Sequence, residues 1–152
     1  MEILLVEDNP ADVRLAIEAF NDFPVKNHLT VAADGIEALA LLHSSHPEKA
    51  AGPFDLVILD LNLPRKNGRE VLAELKADPN LRRTPVVILT TSRAEQDILD
   101  CYALHANCYV NKPLEFDQFT HAIQMIQEFW LSVVTLPGGM GNGCNFIQNA
   151  AH

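Results

Sequence analysis

The chain has 152 residues, 48% of them apolar and 20% charged, the make-up of a globular protein with enough length for one domain and a full core. A formal net charge of −9 disfavours DNA or RNA as partner, because a phosphate backbone needs a basic face, and no apolar run approaches the ~20 residues of a membrane span. Cys101, Cys108 and Cys144 show neither metal-like spacing nor an even disulfide framework, and the N-terminus enters a strand at once, with no leader segment, so a reducing, cytoplasmic setting is expected.

Ile3-Leu4-Leu5-Val6 is a continuous apolar run without alternation, the pattern of a strand buried on both faces, and it stops at Glu7-Asp8. A helix start follows, with Asn9 at the N-cap, Pro10 at the first helical position and Asp12 in the first turn. Val13, Ala16, Ile17 and Phe20 continue it at helical spacing until Asn21-Asp22-Phe23-Pro24. A short second strand is predicted over residues 28–32, with Leu29 and Val31 on one face. Asp34 and Glu37 have the spacing of a capping box, opening a helix built on Ile36, Leu39, Ala40 and Leu42. Residues 44–53, polar and holding two prolines and a glycine, read as a surface loop.

Leu56-Val57-Ile58-Leu59 is the second unbroken apolar run, and it ends on Asp60. Turn chemistry follows in Leu63-Pro64-Arg65-Lys66-Asn67-Gly68, then a helix over residues 68–77 with Val71, Leu72 and Leu75 inward, stopped by Asp78-Pro79. Pro85-Val86-Val87-Ile88-Leu89-Thr90 is a fourth strand. Ser92 can cap a fourth helix through Ile98, Leu99, Tyr102 and Ala103. A fifth strand over residues 107–111 closes at Lys112-Pro113, and residues 116–130 form a fifth, strongly apolar helix.

Five strands alternating with five helices predict an α/β fold, a (βα)5 repeat with a parallel five-stranded sheet and helices on both faces. In the order 2-1-3-4-5 of the flavodoxin-like sheets, strands one and three are neighbours and ligands bind at the carboxyl ends of the strands. Glu7, Asp8 and Asp60 then converge, and Thr90 and Lys112 reach the same rim. An Asp at a strand end is more often a turn residue than a reactive one; here a second buried strand ends the same way.

Clustered carboxylates repel, by about 4 kcal/mol for one pair at 4 Å and an effective dielectric near 20. A hard divalent cation held by oxygens relieves this, and magnesium, which keeps several waters and takes one or two carboxylates plus a phosphate, suits the set. Lys112 is the other positive charge, and a plain salt bridge is its bland reading. A metal, a lysine, a hydroxyl and a free carboxylate make a phosphoryl site. Asp60 would be the nucleophile, magnesium and Lys112 would stabilise charge, and the Thr90 hydroxyl would bond a phosphate oxygen.

Val6-Glu7-Asp8-Asn9, Ile58-Leu59-Asp60-Leu61-Asn62-Leu63-Pro64, Gly68, Val87-Ile88-Leu89-Thr90-Thr91 and Tyr109-Val110-Asn111-Lys112-Pro113 together resemble the receiver domain of two-component response regulators. The resemblance runs from Glu2 to about Trp130. It implies that Asp60 accepts a phosphoryl group from a phosphohistidine on a sensor histidine kinase, so the chain is a phosphoacceptor rather than an enzyme. It implies that Asp8, Asp60 and the Asn62 carbonyl bind magnesium with Glu7 assisting, that Thr90 and Tyr109 are a switch pair, and that the Lys112–Pro113 bond is cis. Glu7 departs from the family, where many members have Asp. A narrower resemblance, to small single-domain regulators paired with cyanobacterial phytochrome histidine kinases, rests on Asn9-Pro10-Ala11-Asp12, the long loop before Phe54, Leu63 to Leu72, and the ending Phe129-Trp130-Leu131 with Val134-Thr135-Leu136-Pro137. It implies one receiver domain over residues 1–137; the glycine-rich residues 138–152 read as a flexible tail.

Two rival functions share this topology. An aspartyl-phosphate phosphatase or transferase of the haloacid dehalogenase type wants a second Asp two residues after the nucleophile, where this chain has Asn62. A flavin-binding module needs a phosphate-cradling loop after strand one, where Glu7-Asp8 would repel phosphate. The six histidines share no metal spacing. With no effector domain in the sequence, output is expected through surface contacts. In the fifth helix Phe116, Phe119, Ile123, Ile126 and Trp130 suffice to face the sheet, and Ala122, Met125 and Phe129 widen the stripe beyond the ~100° such a helix needs. With Tyr109, these residues are expected to form a homodimer face over helix four, strand five and helix five. The alternative is that Leu131, Val133, Val134 and Leu136 fold back to cover it.

Overall fold

The computed structural model describes residues 1–44 and 52–137. The unalternating apolar runs become the middle of a sheet. Strands β1 (Glu2–Val6), β2 (His28–Ala32), β3 (Leu56–Leu59), β4 (Val86–Thr90) and β5 (Cys108–Asn111) pair in parallel in the order β2-β1-β3-β4-β5, as predicted. Helices α1 (Pro10–Asp22), α2 (Gly35–Leu42), α3 (Gly68–Ala77), α4 (Glu95–Ala103) and α5 (Phe116–Gln127) connect and follow them.

Alternate strand residues feed two core layers. Leu4, Val6, Val57, Leu59, Val86 and Ile88 pack with Ala38, Leu39, Leu42, Val71, Leu72, Leu75 and Cys101 from α2, α3 and α4. Ile3, Leu5, Leu56, Ile58, Val87 and Leu89 pack with Ala16, Ala19, Phe20, Phe119, Ile123 and Ile126 from α1 and α5. Burying both faces is what lets these strands dispense with polar residues until their carboxyl ends.

Helix starts follow side-chain chemistry. Asn9 accepts hydrogen bonds from the Ala11 and Asp12 N–H groups, with Pro10 at the first position. Asp34 accepts from the Glu37 N–H, but Glu37 reaches back to the Ala33 N–H rather than to the cap residue, so the expected box is only half made. The complete capping box is Asn67–Glu70, at the start of α3. Ser92 does not cap α4: that helix starts after Ala94 without a side-chain cap, because Ser92 lies two residues too early.

The helix faces need correction too. Ile36 and Ala40 of α2 are exposed while Ala38 is buried, and in α4 Leu99, Tyr102 and Ala103 face outward while Cys101 is buried. Phe116 is exposed because it stands at the very first turn of α5, before the helix meets the sheet. After Gln127 the chain widens into a π-helical stretch, Glu128–Val133. The extra residue per turn swings Leu131 into the core and leaves Trp130 partly buried. The expected loop lies largely outside the described residues (45–51 are not among them), as does the glycine-rich stretch 138–152 and with it Cys144.

Candidate functional site

The parallel ladder continues one step past β1, β3 and β5 and carries polar residues with it. The Glu7 N–H donates to the Ala32 carbonyl at 3.0 Å, the Asp60 N–H to the Val6 carbonyl at 3.1 Å, and the Lys112 N–H to the Thr90 carbonyl at 2.7 Å. Rigid backbone therefore presents Glu7, Asp60 and Lys112 at one rim. All three side chains are buried, as is Thr90, whereas Asp8 and Asn62 are exposed.

Ligand atoms of Glu7, Asp8 and Asp60 lie within 4.8 Å of one another. Lys112 Nζ donates to both carboxylate oxygens of Glu7 at 3.0 Å each and to Asp60 Oδ2 at 3.2 Å. Asp12 Oδ2, from the first turn of α1, is also 3.0 Å from this nitrogen. Burial alone would lower the Lys112 pKa, but the hydrogen bonds and charge of Glu7, with the charge of Asp60, raise it above its ordinary value. The ammonium is thus permanently charged. Glu7 responds in the opposite sense: burial, then the charge of Asp60, push its carboxyl up to about 8 against the pull of Lys112. One ammonium does not balance this set. Three convergent carboxylates, all hard oxygen donors, fit a divalent cation.

Two local features fix Asp60. The Asn62 N–H donates to Asp60 Oδ1 at 3.3 Å. Gly68, at the start of α3, donates to the Leu61 carbonyl at 3.0 Å and lies directly against the Asp60 backbone, where a side chain has no room.

Thr90 and Tyr109 meet through Ser92. The Ser92 N–H points at Thr90 Oγ1 (3.5 Å), and its carbonyl accepts from both the Tyr109 hydroxyl (2.9 Å) and Asn111 Nδ2 (3.0 Å). The Ser92 hydroxyl donates to Asp97 of α4, which also receives Arg69 of α3 at 3.1 Å. Sequence reasoning missed Ser92 in this role and did not pair Asp12 with Lys112. Asp12 carried one signal, its place in the first turn of a helix that begins at the rim. The expected cis bond at Lys112–Pro113 is not found: every peptide bond among the described residues is trans, the isomer favoured for X–Pro by roughly 0.5–1 kcal/mol.

Of the residues expected at an interface, Tyr109 and Ala122 are half-buried, and Met125 and Phe129 are exposed to 55% and 50%. Leu131 and Leu136 are buried, yet the chain through Pro137 leaves Met125 and Phe129 open, as it does Leu99, Tyr102 and Val133. Among the described residues Glu7, Asp8 and Asp60 are the group of His, Cys, Asp or Glu side chains placed to hold a metal, and no helix is long and apolar enough to cross a membrane.

The response regulator receiver domain model matches residues 3–124. Response regulator Rcp1 of Synechocystis sp. is 45% identical over 135 residues, which cover 89% of this chain and 92% of that protein. The phosphorylated cyanobacterial phytochrome response regulator RcpA superposes with a TM-score of 0.83 at 49% identity, over 90% of this chain and 97% of that one. The Mn2+-bound form of Rcp1 superposes equally well, with a TM-score of 0.83 at 46% identity, over 90% of this chain and 98% of that one. A match of this extent, on a fold whose strand ends carry an acidic rim, makes the chain a member of the response regulator receiver domain family and a protein of two-component phosphorelay signalling.

Proposed function

We propose that Asp60 is the phosphoryl acceptor of this regulator and that its donor is a phosphohistidine on a sensor kinase of the phytochrome type. One observation carries the acceptor: a buried Asp60 carboxylate, held by a strand end, lies 3.2 Å from a permanently charged Lys112 and within metal-sharing distance of Glu7 and Asp8. The kinase type rests on likeness to Rcp1 and to the phytochrome response regulator RcpA.

In the reaction an Asp60 oxygen forms a new bond to phosphorus as the donor's P–N bond breaks, and that electron pair returns to the imidazole nitrogen. Lys112 stabilises charge on the transferring group, and the Thr90 hydroxyl bonds a phosphoryl oxygen. Glu7, Asp8 and Asp60, with the Asn62 carbonyl, would hold magnesium, which supplies further charge stabilisation when bound. The chain is itself consumed and regenerated, so it is a substrate of the kinase rather than an enzyme.

Thr90 drawn toward the phosphoryl group moves Ser92 and Tyr109, and so biases the face of α4, β5 and α5. Exposed Leu99 and Tyr102 of α4, Met125 of α5 and Phe129 just beyond it support a second copy of the chain as the partner there. The acidic balance argues against DNA, and the absence of a disulfide framework supports a cytoplasmic site of action. Asp60→Asn should fold normally and take no stable label from a phosphorylated kinase or from acetyl phosphate. Labelling of that variant at wild-type stoichiometry would refute the assignment.

A further inference from the structure

The Lys112 ammonium has three protons and four carboxylate oxygens within 3.2 Å, two from Glu7 and one each from Asp60 and Asp12. Glu7, Asp60 and Asp12 share these protons, Asp12 as an ion pair within hydrogen-bond distance. The three acids differ in what else they do. Glu7 and Asp60 belong to the group able to hold a cation, and Asp60, as the proposed acceptor, becomes an acyl phosphate. Asp12 does not belong to that group. It is the most exposed of the three, at 20% of its side chain, and it sits on a helix whose start is fixed by Asn9.

We infer that Asp12 is a positioning residue for phosphoryl acceptance: it keeps the Lys112 ammonium at the rim once Glu7 and Asp60 are engaged elsewhere. As Asp60 is phosphorylated its carboxylate charge is lost, and one Lys112 N–H turns from donating to Asp60 to donating to a phosphoryl oxygen. A Glu7 oxygen turned to a cation is no longer free for Lys112. Asp12 then remains as the one carboxylate with no other duty, and Lys112 turns about it rather than swinging free on its four-carbon stem. The inference rests on Asp60 as acceptor.

Its sign sets it apart from a simple charge effect. Removing a negative charge from the rim favours an anionic donor and by itself speeds the reaction. Removing the anchor of Lys112 slows it.

The test uses the full chain, magnesium and acetyl phosphate, followed by intact mass. An Asp60 oxygen bonds to phosphorus as the P–O bond of acetyl phosphate breaks and the electron pair leaves with acetate. Asp12→Ala should lower the maximal rate about tenfold, the scale of one hydrogen bond to a charged group, without raising the acetyl phosphate concentration needed for half that rate. Asp12→Asn, which keeps an acceptor oxygen, should fall between Asp12→Ala and wild type. In a Lys112→Ala background Asp12→Ala should produce no further loss. Thermal melting in magnesium reports whether each variant folds, and Asp12→Asn serves if Asp12→Ala does not. An unchanged or faster Asp12 variant overturns the inference, and so does an equal slowing with and without Lys112. A wild type that takes no phosphoryl group, or takes it when Asp60 is Asn, overturns the acceptor assignment instead.

Discussion

A Cβ placed on Gly68 would fall 2.2 Å from the Asp60 carbonyl oxygen and 2.7 Å from the Leu61 Cα. Both clashes are with backbone, which cannot rotate away. Gly68→Ala must therefore push α3 off the end of β3 or displace Asp60. The overpacking should cost roughly 1–3 kcal/mol, and acceptance of the phosphoryl group should slow as Asp60 shifts from Lys112. Melting temperature and labelling rate are to be measured together. A variant of unchanged stability and rate would show that the contact relaxes without consequence.

Glu7 makes stability depend on pH in an unusual direction. Its carboxyl rises from an ordinary 4.5 to about 8 through burial and the charge of Asp60. Between those values the folded chain holds one proton more than the unfolded chain, so metal-free stability should fall as pH rises from about 4.5 to about 8. A cation must displace that proton, so the rise in melting temperature caused by magnesium should grow over the same interval. Glu7→Gln should flatten both trends. Metal-free stability that climbs between about pH 6 and about pH 8 would contradict the cause assigned here.

Lys112 balances acids that cannot escape into water. Lys112→Ala should destabilise the metal-free chain by about 3 kcal/mol, the lower end of what breaking a buried ion pair costs, because Glu7 can retain its proton. Saturating magnesium should restore much of that loss, since the cation takes over the same charges. Denaturant melts of both proteins with and without magnesium decide this: equal destabilisation in either condition would mean that lysine and cation are not balancing a common set.

Met125 stands half exposed on α5, and Phe129 in the π-helical stretch that follows it. An average interface buries roughly 800 Å² per partner, and losing one central aromatic costs about 2 kcal/mol or more. Met125→Asp and Phe129→Asp should each turn a dimer into a monomer while leaving melting temperature within about 1 kcal/mol equivalent of wild type. Sedimentation velocity on the phosphorylated and unphosphorylated chain checks it. A wild type that stays monomeric in both states at micromolar concentrations would assign this face to a different partner.

The sheet and its acidic rim were legible because they follow from contrasts along the chain. A run such as Leu56–Leu59 is apolar throughout, and the first polar residue after it marks where the strand leaves the core. Helix faces were less legible. In α4 the spacing groups Leu99, Tyr102 and Ala103 but does not say which way the group points, and the structure turns Cys101 inward and Asp97 and Asp100 toward Arg69 of α3. That ion pairing between helices has no local signature. Asp12 was hidden for the same reason: its partner Lys112 lies 100 residues away, and only the closed sheet brings the two together.

The Ser92 carbonyl receives two donors, Tyr109 and Asn111, from alternate positions on the same edge strand. Residues two apart on a strand point to the same face, so both side chains reach one oxygen of the β4–α4 connection. Tyr109 can therefore let go while Asn111 keeps hold. If Tyr109 is the switch residue proposed above, its change of rotamer costs one hydrogen bond while Asn111 still holds the connection on β5. In Tyr109→Phe the loop should keep its place, with a loss of about 1 kcal/mol, whereas removing both donors should free it and, through Asp97 and Arg69, loosen α4 from α3.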